Sequence, residues 1–489
     1  MCQRVYGTGV GVLNTISFDD RLDAHYLSRF YTNLPLHNFH FVRIAASSNH
    51  FLGLSSNGRI YTAGESGYGH LGRPVLPVPG TAQPSLTHPS SSTDKTQRRM
   101  TPGRVWWTQH TDITRFHAIA CGETFSAALS ITNHQLYFWG SFTVNGTAYV
   151  GNNRGICLRP KPYPNIQPSL RFRAVEAGND FLLALTMRGE VVSMGSSQAI
   201  SLGRASSDPP CPSLPAYVVD NQGEPLHGIS IIGTGHHHAF AYSRLQDCLW
   251  AWGANDYRQT GIHLAGKITM ATPVLRFWPL GTHLVQLSGG RHHSLAVTNT
   301  GRVFYFGTAI GYLSGLSRPM VGSLCKGNSW LHPIDIGLTF VSKVACGIDH
   351  NLAIIKEVPT THPANRFVVT WGGNSHFELG QGHRDPAATP FEPVGGRQIH
   401  DIAIGGRQSF LLGQVPNVKP TNPSPTDIDN QDFVDLFNTY QEVQPFYTLM
   451  DLRMPIETAV LVDSSLPSAS DSDDTSYKIS DASDVDLSS

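Results

Sequence analysis

Seven copies of one short motif set the strongest limit on how this chain can fold. Each copy reads apolar, any residue, small, glycine, two variable residues and then usually an aromatic or imidazole ring, as in residues 344–354. The glycine, or serine in the first copy, defines the column positions Ser47, Gly122, Gly178, Gly235, Gly290, Gly347 and Gly405. Subtracting neighbouring column numbers gives 75, 56, 57, 55, 57 and 58. Such a regular period predicts a chain built from stacked structural repeats.

A second motif follows the first six copies and completes the repeat. It consists of a turn, an apolar strand and a glycine that usually comes after an aromatic residue, as in residues 300–307. These closing glycines are Gly64, Gly140, Gly195, Gly253, Gly307 and Gly372. Each unit supplies about four short strands, and one such unit cannot cover both faces of its own sheet. We predict an all-β fold, a seven-bladed β-propeller of about 57-residue repeats.

The two ends of the chain carry complementary halves of one repeat. The seventh copy, residues 401–412, has no closing strand after it, whereas residues 4–9 resemble a closing strand with no motif before it. The numbers of Gly7 and Gly64 differ by 57, which matches the repeat period. We expect the N-terminal strand to complete the seventh blade, because pairing the two ends closes the ring and removes an open sheet edge.

The repeats divide the chain into two regions. The propeller should occupy residues 1–414, with a Pro/Ser/Thr-rich loop insertion at 77–103 that accounts for the one long interval. Residues 415–489 begin as a proline-rich linker and end as an acidic Ser/Asp-rich tail, which we expect to be mostly disordered.

Composition excludes several classes of function. The net charge is −1 and only 15% of the residues are charged, so no overall field directs the chain to nucleic acid. No apolar stretch reaches the roughly 18 residues of a membrane span, and no secretory signal is evident. Seven cysteines occur without a CxxC pair, which favours reduced thiols inside the cell. No sequence motif indicates a metal site, a cofactor or covalent catalysis, and we expect no small-molecule substrate.

Two adjacent positions of the first motif differ in character. The third residue after the column is a ring or an amide in every copy, which is typical of interior packing and hydrogen bonding. This ring position holds His50, Phe125, Phe181, His238, His293, His350 and Gln408. The residue before it varies from blade to blade, which favours a binding face at the strand ends. This outer position holds Asn49, Thr124, Asp180, His237, His292, Asp349 and Arg407.

The repeats resemble those of the regulator of chromosome condensation family over residues 1–414. Three stretches are similar to blade-specific segments of that family's guanine-nucleotide exchange factor for the GTPase Ran. Residues 138–146 resemble a Trp-Gly-Ser-Phe-Arg…Asn-Gly stretch, and residues 178–181 resemble a Gly-Asn-Asp-His segment. Residues 288–293 resemble a Ser-Gly-Gly-Gln-His-His segment.

The resemblance implies a propeller that docks a small GTPase with one face and presses a projecting loop, residues 141–151, against it as a wedge. The GTPase-binding residues that we predict are Glu123, Asp180, His292, Asn145, Gly146, Asp349 and His237. Two positions depart from the family pattern. Glu123 is one methylene longer than the family's aspartate, and Thr143 stands where the family has arginine.

We therefore predict a guanine-nucleotide exchange factor for a Ran-type small GTPase that accelerates GDP release without covalent chemistry. The resemblance also implies a nuclear location, with the cytoplasm as a second compartment, chromatin or histones as a further partner, and a monomeric protein. The alternative is a propeller interaction scaffold without exchange activity, such as a ubiquitin-ligase adaptor, a traffic module or a chromatin-binding module.

Overall fold

The structure is a computed structural model. It describes residues 3–9, 24–29, 41–64, 67–72, 106–107, 114–144, 147–151, 153–196, 200–204, 212–315, 325–326, 329–330, 332–356, 366–391 and 398–414. The predicted insertion at 77–103 and the predicted tail at 415–489 lie outside these residues.

Nearly all regular structure in the described residues is β-strand. The strands are β1 (Gln3–Gly9), β2 (Ala24–Arg29), β3 (Phe41–Ala46), β4 (His50–Ser55), β5 (Ile60–Gly64), β6 (Trp106–Trp107), β7 (Phe116–Cys121), β8 (Phe125–Ser130), β9 (Leu136–Gly140), β10 (Phe142–Val144), β11 (Thr147–Val150), β12 (Asn153–Arg154), β13 (Cys157–Pro162), β14 (Phe172–Ala177), β15 (Phe181–Thr186), β16 (Val191–Gly195), β17 (Ala216–Tyr217), β18 (Ile231–Thr234), β19 (His238–Ser243), β20 (Cys248–Ala254), β21 (Lys267–Val274), β22 (Leu284–Gly289), β23 (His293–Thr298), β24 (Val303–Gly307), β25 (Cys325–Lys326), β26 (Ser329–Trp330), β27 (Ile334–Asp335), β28 (Val341–Cys346), β29 (His350–Lys356), β30 (Arg366–Gly372), β31 (Ala387–Phe391), β32 (Gln398–Gly405) and β33 (Gln408–Gln414). Helix in these ranges is limited to a 3-10 turn at Ile200–Leu202 and one α-helical turn, α1, at Gly311–Ser314. None of the described helices has the length and apolar character that crossing a membrane requires.

The described strands form seven four-stranded antiparallel sheets and two smaller ones. We number the four-stranded sheets 1 to 7 in the order β3-β4-β5-β6, β7-β8-β9-β13, β14-β15-β16-β17, β18-β19-β20-β21, β22-β23-β24-β27, β28-β29-β30-β31 and β32-β33-β1-β2. The smaller sheets are β10-β11-β12 and β25-β26. Each repeat motif thus becomes the hairpin that joins the first two strands of a sheet.

The second strand of a sheet is apolar along its whole length because both of its faces are covered. All six residues of β4, β8, β15, β19 and β23 are buried. The described core consists of seven hydrophobic clusters, and each cluster combines side chains from two neighbouring sheets. A sheet packed on both faces reads as a continuous apolar run rather than an alternating one.

The first strands of the seven described sheets surround a common axis. They contact one another in the order β3, β7, β14, β18, β22, β28 and β32, and β32 in turn contacts β3. Sheets that pack face to face and return to the first sheet form a β-propeller. The prediction of an all-β propeller is therefore confirmed.

The chain ends close the ring as predicted, with one difference in register. Strand β1 pairs with β33 from Gln3 opposite Gln414 to Gly9 opposite Gln408. In sheets 1 to 6 the residue opposite the ring position is the closing glycine, as Gly64 is opposite His50. The closing glycine of sheet 7 is therefore Gly9 and not Gly7, because strand pairing across the chain ends fixes the register.

Candidate functional site

The turns between the first and second strands lie at the same end of their sheets and are linked to one another. The backbone N–H of Glu123 donates to the carbonyl of Asn179 at 2.8 Å, and the N–H of Asn179 donates to the carbonyl of His236 at 3.1 Å. The N–H of His236 donates in the same way to Gly290 at 3.0 Å. We call the surface formed by these turns, from the column position to the outer position, the turn face. Its backbone is held in place by bonds between neighbouring sheets.

The column glycines are needed because the ring side chains fold back over them. A Cβ atom added at Gly122 would lie 2.1 Å from the ring of Phe125, and one at Gly178 would lie 2.0 Å from the ring of Phe181. These distances are far below the roughly 3.5–4.0 Å at which non-bonded carbon atoms pack. The glycine and the ring therefore form one packing unit, and the ring position belongs to the interior.

Each ring histidine also joins its sheet to the next one. The Nε2–H of His50 donates to the hydroxyl of Ser126 at 2.6 Å, and this hydroxyl donates to the carbonyl of His70 at 2.8 Å. Equivalent bonds link His238 to Ser294, His293 to Asn351 and His350 to Ser409. Buried polar groups of this kind stabilise the fold only while every partner is present.

Burial keeps the ring histidines neutral. It lowers the pKa of His293 to about 4 and the pKa of His350 to about 3. Burial also holds the pKa values of His50 and His238 well below the ordinary value. A buried imidazole loses the hydration that favours its charged form. The ring position therefore serves the scaffold and offers no charge to a partner near pH 7.

The outer position places a carboxylate and an imidazole side by side on the turn face. Oδ1 of Asp180 lies 3.7 Å from Nδ1 of His237, and the two side chains are 32% and 50% exposed. The hydroxyl of Ser196 donates to Oδ2 of Asp180 at 3.2 Å. Oδ1 of Asp180 is itself buried and accepts no hydrogen bond from the described residues. The side chain as a whole remains 32% exposed, so the carboxylate of Asp180 is a candidate contact for a partner.

His292 occupies the outer position two sheets further on. Its ring centroid lies 4.3 Å from that of Tyr257, and its Nδ1 is buried without a hydrogen bond from the described residues. Burial lowers the pKa of His292, and Arg291 lowers it further, while the carboxylate of Asp349 opposes the shift. A neutral, partly exposed imidazole can donate to or accept from a docked protein through the part of its ring that stays accessible.

Glu123 and the projecting segment adjoin each other. A carboxylate oxygen of Glu123 accepts a hydrogen bond from the side-chain amide of Asn179, which holds the acid across the turn of the next sheet. The hydroxyl of Thr124 donates to the carbonyl of Ser141 at 2.8 Å, so this turn is fastened to the start of the projecting segment.

The predicted wedge is a small sheet and not an irregular loop. Strand β10 pairs with β11 from Phe142 opposite Tyr149 to Val144 opposite Thr147, and β11 continues to β12. Phe142 anchors the base, because its buried ring lies 4.6 Å from Phe125 and 5.0 Å from Phe138. We call β10–β12 the wedge hairpin. Hairpin pairing and a buried aromatic base make it stiffer than a free loop.

The structure brings most of the predicted site residues onto one surface. Glu123, Asp180, His237 and His292 lie in the turns described above, and Asp349 lies in the equivalent turn of sheet 6, where the N–H of Ile348 donates to the carbonyl of Gly406 in sheet 7. Asn145 and Gly146 lie outside the described residues. Strand alternation led to the prediction of the outer position, but the structure places these residues in the turn, immediately before the second strand.

Five other residues at or beside the turn face were not singled out from the sequence. They are Asn179, His236 and Arg291, each one residue before an outer position, together with Asp256 and Tyr257 from the connection after β20. The signal that points to the first three is the variation of that position between repeats. In the described part of the chain, no three His, Cys, Asp or Glu side chains are arranged to hold a metal ion.

Comparison with known proteins finds relatives that match most of this chain. The fission yeast protein pim1 (Schizosaccharomyces pombe) is 26% identical over 430 residues, which cover 84% of this chain and 75% of pim1. The guanine nucleotide exchange factor SRM1 of Saccharomyces cerevisiae is 22% identical over 366 residues, 71% of this chain and 73% of SRM1. Among solved structures, Prp20p of S. cerevisiae superposes with a TM-score of 0.71 at 17% identity, covering 90% of this chain and 95% of Prp20p.

The fold and the turn face define a β-propeller of the chromosome-condensation-regulator type. The family model described as the RCC1-like domain matches residues 5–411. The chain belongs to this family. Because the identity to Prp20p is only 17%, that likeness shows the fold alone.

Proposed function

We propose that this protein is a guanine-nucleotide exchange factor for a Ran-type small GTPase. The proposal is supported by the relative named as an exchange factor and by the solved relative Prp20p, which was described together with its binding properties to Gsp1p and histones. The observation that carries it is the partly exposed carboxylate of Asp180 beside His237 on the turn face.

Exchange requires binding and no bond-making. A small GTPase that holds its nucleotide with picomolar affinity has about −16 kcal/mol of binding free energy. A partner accelerates release only if it binds the nucleotide-free GTPase more tightly than the loaded one, and the coupling is reciprocal. The task of the turn face is therefore to present contacts that the GTPase can make fully only when the nucleotide has left.

The carboxylates of the turn face suit that task. P-loop GTPases hold the nucleotide phosphates with a lysine and backbone N–H groups. Glu123, Asp180 and Asp349 present negative charge on one rigid surface, and they can compete with phosphate for such donors. Because the turns are bonded to one another, little ordering entropy is lost when the GTPase docks.

The wedge hairpin is the second element of the proposed mechanism and acts by changing the conformation of the GTPase. It is anchored by Phe142 and fastened to the turn face through Thr124. Pressed against the phosphate-binding region, it would favour a GTPase conformation that binds nucleotide poorly. We propose Asn145 and Gly146, between β10 and β11, as its contact residues.

The proposal extends to the cellular setting. We propose a nuclear protein that acts as a monomer, with chromatin or histones as further partners and with access to the cytoplasm. Its domain division would follow the repeats, with the propeller at 1–414 and a separate tail at 415–489.

The test is release of fluorescent GDP from a purified Ran-type GTPase. The full chain should raise the release rate far above the intrinsic rate, and Asp180→Asn should reduce this effect about tenfold through loss of a charged contact. Glu224→Gln is the matched control. Glu224 carries an exposed carboxylate in the connection from β17 to β18. This connection lies at the end of the sheets away from the turn face. Release at the intrinsic rate with the wild-type chain would overturn the proposal in favour of a scaffold without exchange activity.

A further inference from the structure

Apolar side chains lie exposed at the base of the wedge hairpin. Tyr68 is 41% exposed, Ile156 is 43% exposed and Leu158 is 53% exposed. Single exposed apolar residues are common, but grouped ones mark interaction sites.

These three residues come from two sheets that meet beside the hairpin. A Cβ atom added at Gly69 would lie 2.8 Å from Cγ2 of Ile156 and 3.0 Å from Cδ2 of Leu158. The side chains of Ile156 and Leu158 therefore cover the sheet 1 loop that also carries Tyr68. We call Tyr68, Ile156 and Leu158 the hairpin-base patch. The close contact across two sheets gives this patch a fixed shape.

The patch has a basic border. Arg154 and Arg159 are exposed on either side of Ile156 and Leu158 in the sequence. None of the hydrogen bonds and ion pairs found among the described residues engages either guanidinium group. The outer position, by contrast, carries carboxylates at Asp180 and Asp349. A partner that covers both areas therefore meets acidic groups near the ring axis and basic groups beside the hairpin.

We propose that the hairpin-base patch is a second docking site for the same GTPase, and that it binds an apolar segment flanked by acidic side chains. This inference rests on the proposed exchange function. The patch is continuous with the proposed interface, because β12 ends the wedge hairpin and is followed within two residues by β13. A GTPase that contacts the hairpin lies against the patch, and the basic border selects for acidic neighbours.

The patch and the hairpin have different kinetic roles. Apolar docking beside the hairpin does not depend on whether the nucleotide site is occupied, so it stabilises the loaded and the nucleotide-free complexes alike. Uniform binding lowers the half-saturating concentration and leaves the maximal rate unchanged. The proposed contacts of Asp180, Asn145 and Gly146, by contrast, favour the nucleotide-free complex and therefore raise the maximal rate of GDP release.

The experiment measures GDP release from a Ran-type GTPase over a range of concentrations of the full-length protein. The double variant Ile156→Ser with Leu158→Ser should raise the half-saturating concentration about tenfold and keep the maximal rate. The matched control is the double variant Leu245→Ser with Leu280→Ser. These leucines are 89% and 87% exposed and lie in the β19–β20 and β21–β22 connections, at the end of the sheets away from the turn face. A second variant, Arg159→Glu, should raise the half-saturating concentration several-fold at low salt and much less at high salt.

The outcomes separate the two proposals. A wild-type chain that does not accelerate release overturns the exchange function, and the docking site with it. An active wild-type chain whose half-saturating concentration is unchanged in both variants overturns the docking site alone. An equal shift in the Leu245 and Leu280 control would also overturn it, because the effect would then be non-specific.

Discussion

His292 ends a hairpin turn and His293 begins the strand that follows it, yet the two side chains differ in burial and in their contacts with the neighbouring sheet. His293 is fully buried, hydrogen-bonded to Asn351 of the next sheet and held neutral by a pKa of about 4. His292 is half-buried and packs against the ring of Tyr257. In sheet 4, His238 is likewise buried and hydrogen-bonded to Ser294 of the next sheet, whereas its neighbour His237 is exposed.

The difference shows that one repeat motif can hold a residue that stabilises the fold next to a residue that is available for binding. The ring position is set by the column glycine and by the neighbouring sheet, so it carries the same kind of residue in every turn. The outer position has no ring that folds over a column glycine, and its residue varies from turn to turn. Function can therefore be placed on the outer position at little cost to the fold.

The largest expected effect is on stability at the ring position. His293→Ala should lower the free energy of unfolding by about 3 kcal/mol, because it opens a cavity and leaves the Oδ1 of Asn351 without its hydrogen-bond donor. His292→Ala should change it by less than about 0.5 kcal/mol. Urea unfolding of the two variants measures both values, and equal losses would remove the distinction between the two positions.

A second prediction uses acid. The folded pKa values of His293 and His350 are depressed to about 4 and about 3, whereas the unfolded value is about 6.5. Between these values the unfolded chain binds more protons, so the stability present above pH 6.5 is lost as the pH falls. We expect the free energy of unfolding at pH 5 to be lower than its value above pH 6.5 by about 2 kcal/mol for each of these two histidines.

The control for the acid prediction comes from the molecule itself. Phe125 and Phe181 fill the ring position in two sheets, so His350→Phe is expected to fit the same space. This variant should have a shallower dependence of unfolding free energy on pH between 6.5 and 4. An unchanged slope would mean that His350 does not titrate differently in the folded and unfolded chains.

The smallest expected effects fall on single outer residues. Asp349→Asn and His237→Asn should each reduce GDP release at limiting concentration about fivefold, while unfolding in urea stays within about 0.5 kcal/mol of the wild type. Loss of stability without loss of release would show that these residues belong to the scaffold.

The sequence was enough to predict most of the fold. Column and closing glycines mark the hairpins, and the split repeat predicts the pairing of β1 with β33. The closing glycine of sheet 7 was predicted two residues too early, at Gly7, because spacing alone cannot fix a register that depends on pairing between the chain ends. Gly9 takes that place, opposite Gln408.

The site was less accessible to sequence reasoning. The outer position follows from variation between repeats, but the hydrogen bonds that join Glu123, Asn179 and His236 into one surface are contacts between sheets. The same is true of the hairpin-base patch, since Gly69 and Ile156 are distant in sequence and meet only through packing. Contacts between repeats carry no local sequence signal.

The most direct test compares the affinity of the full chain for the nucleotide-free and the GDP-loaded forms of a Ran-type GTPase. Titration calorimetry or surface immobilisation of each form gives the two dissociation constants. An exchange factor that acts through the turn face must bind the nucleotide-free form at least about 100-fold more tightly, and Asp180→Asn should narrow that ratio. Equal affinities for the two forms would contradict the account, because a protein that does not distinguish them cannot drive nucleotide release.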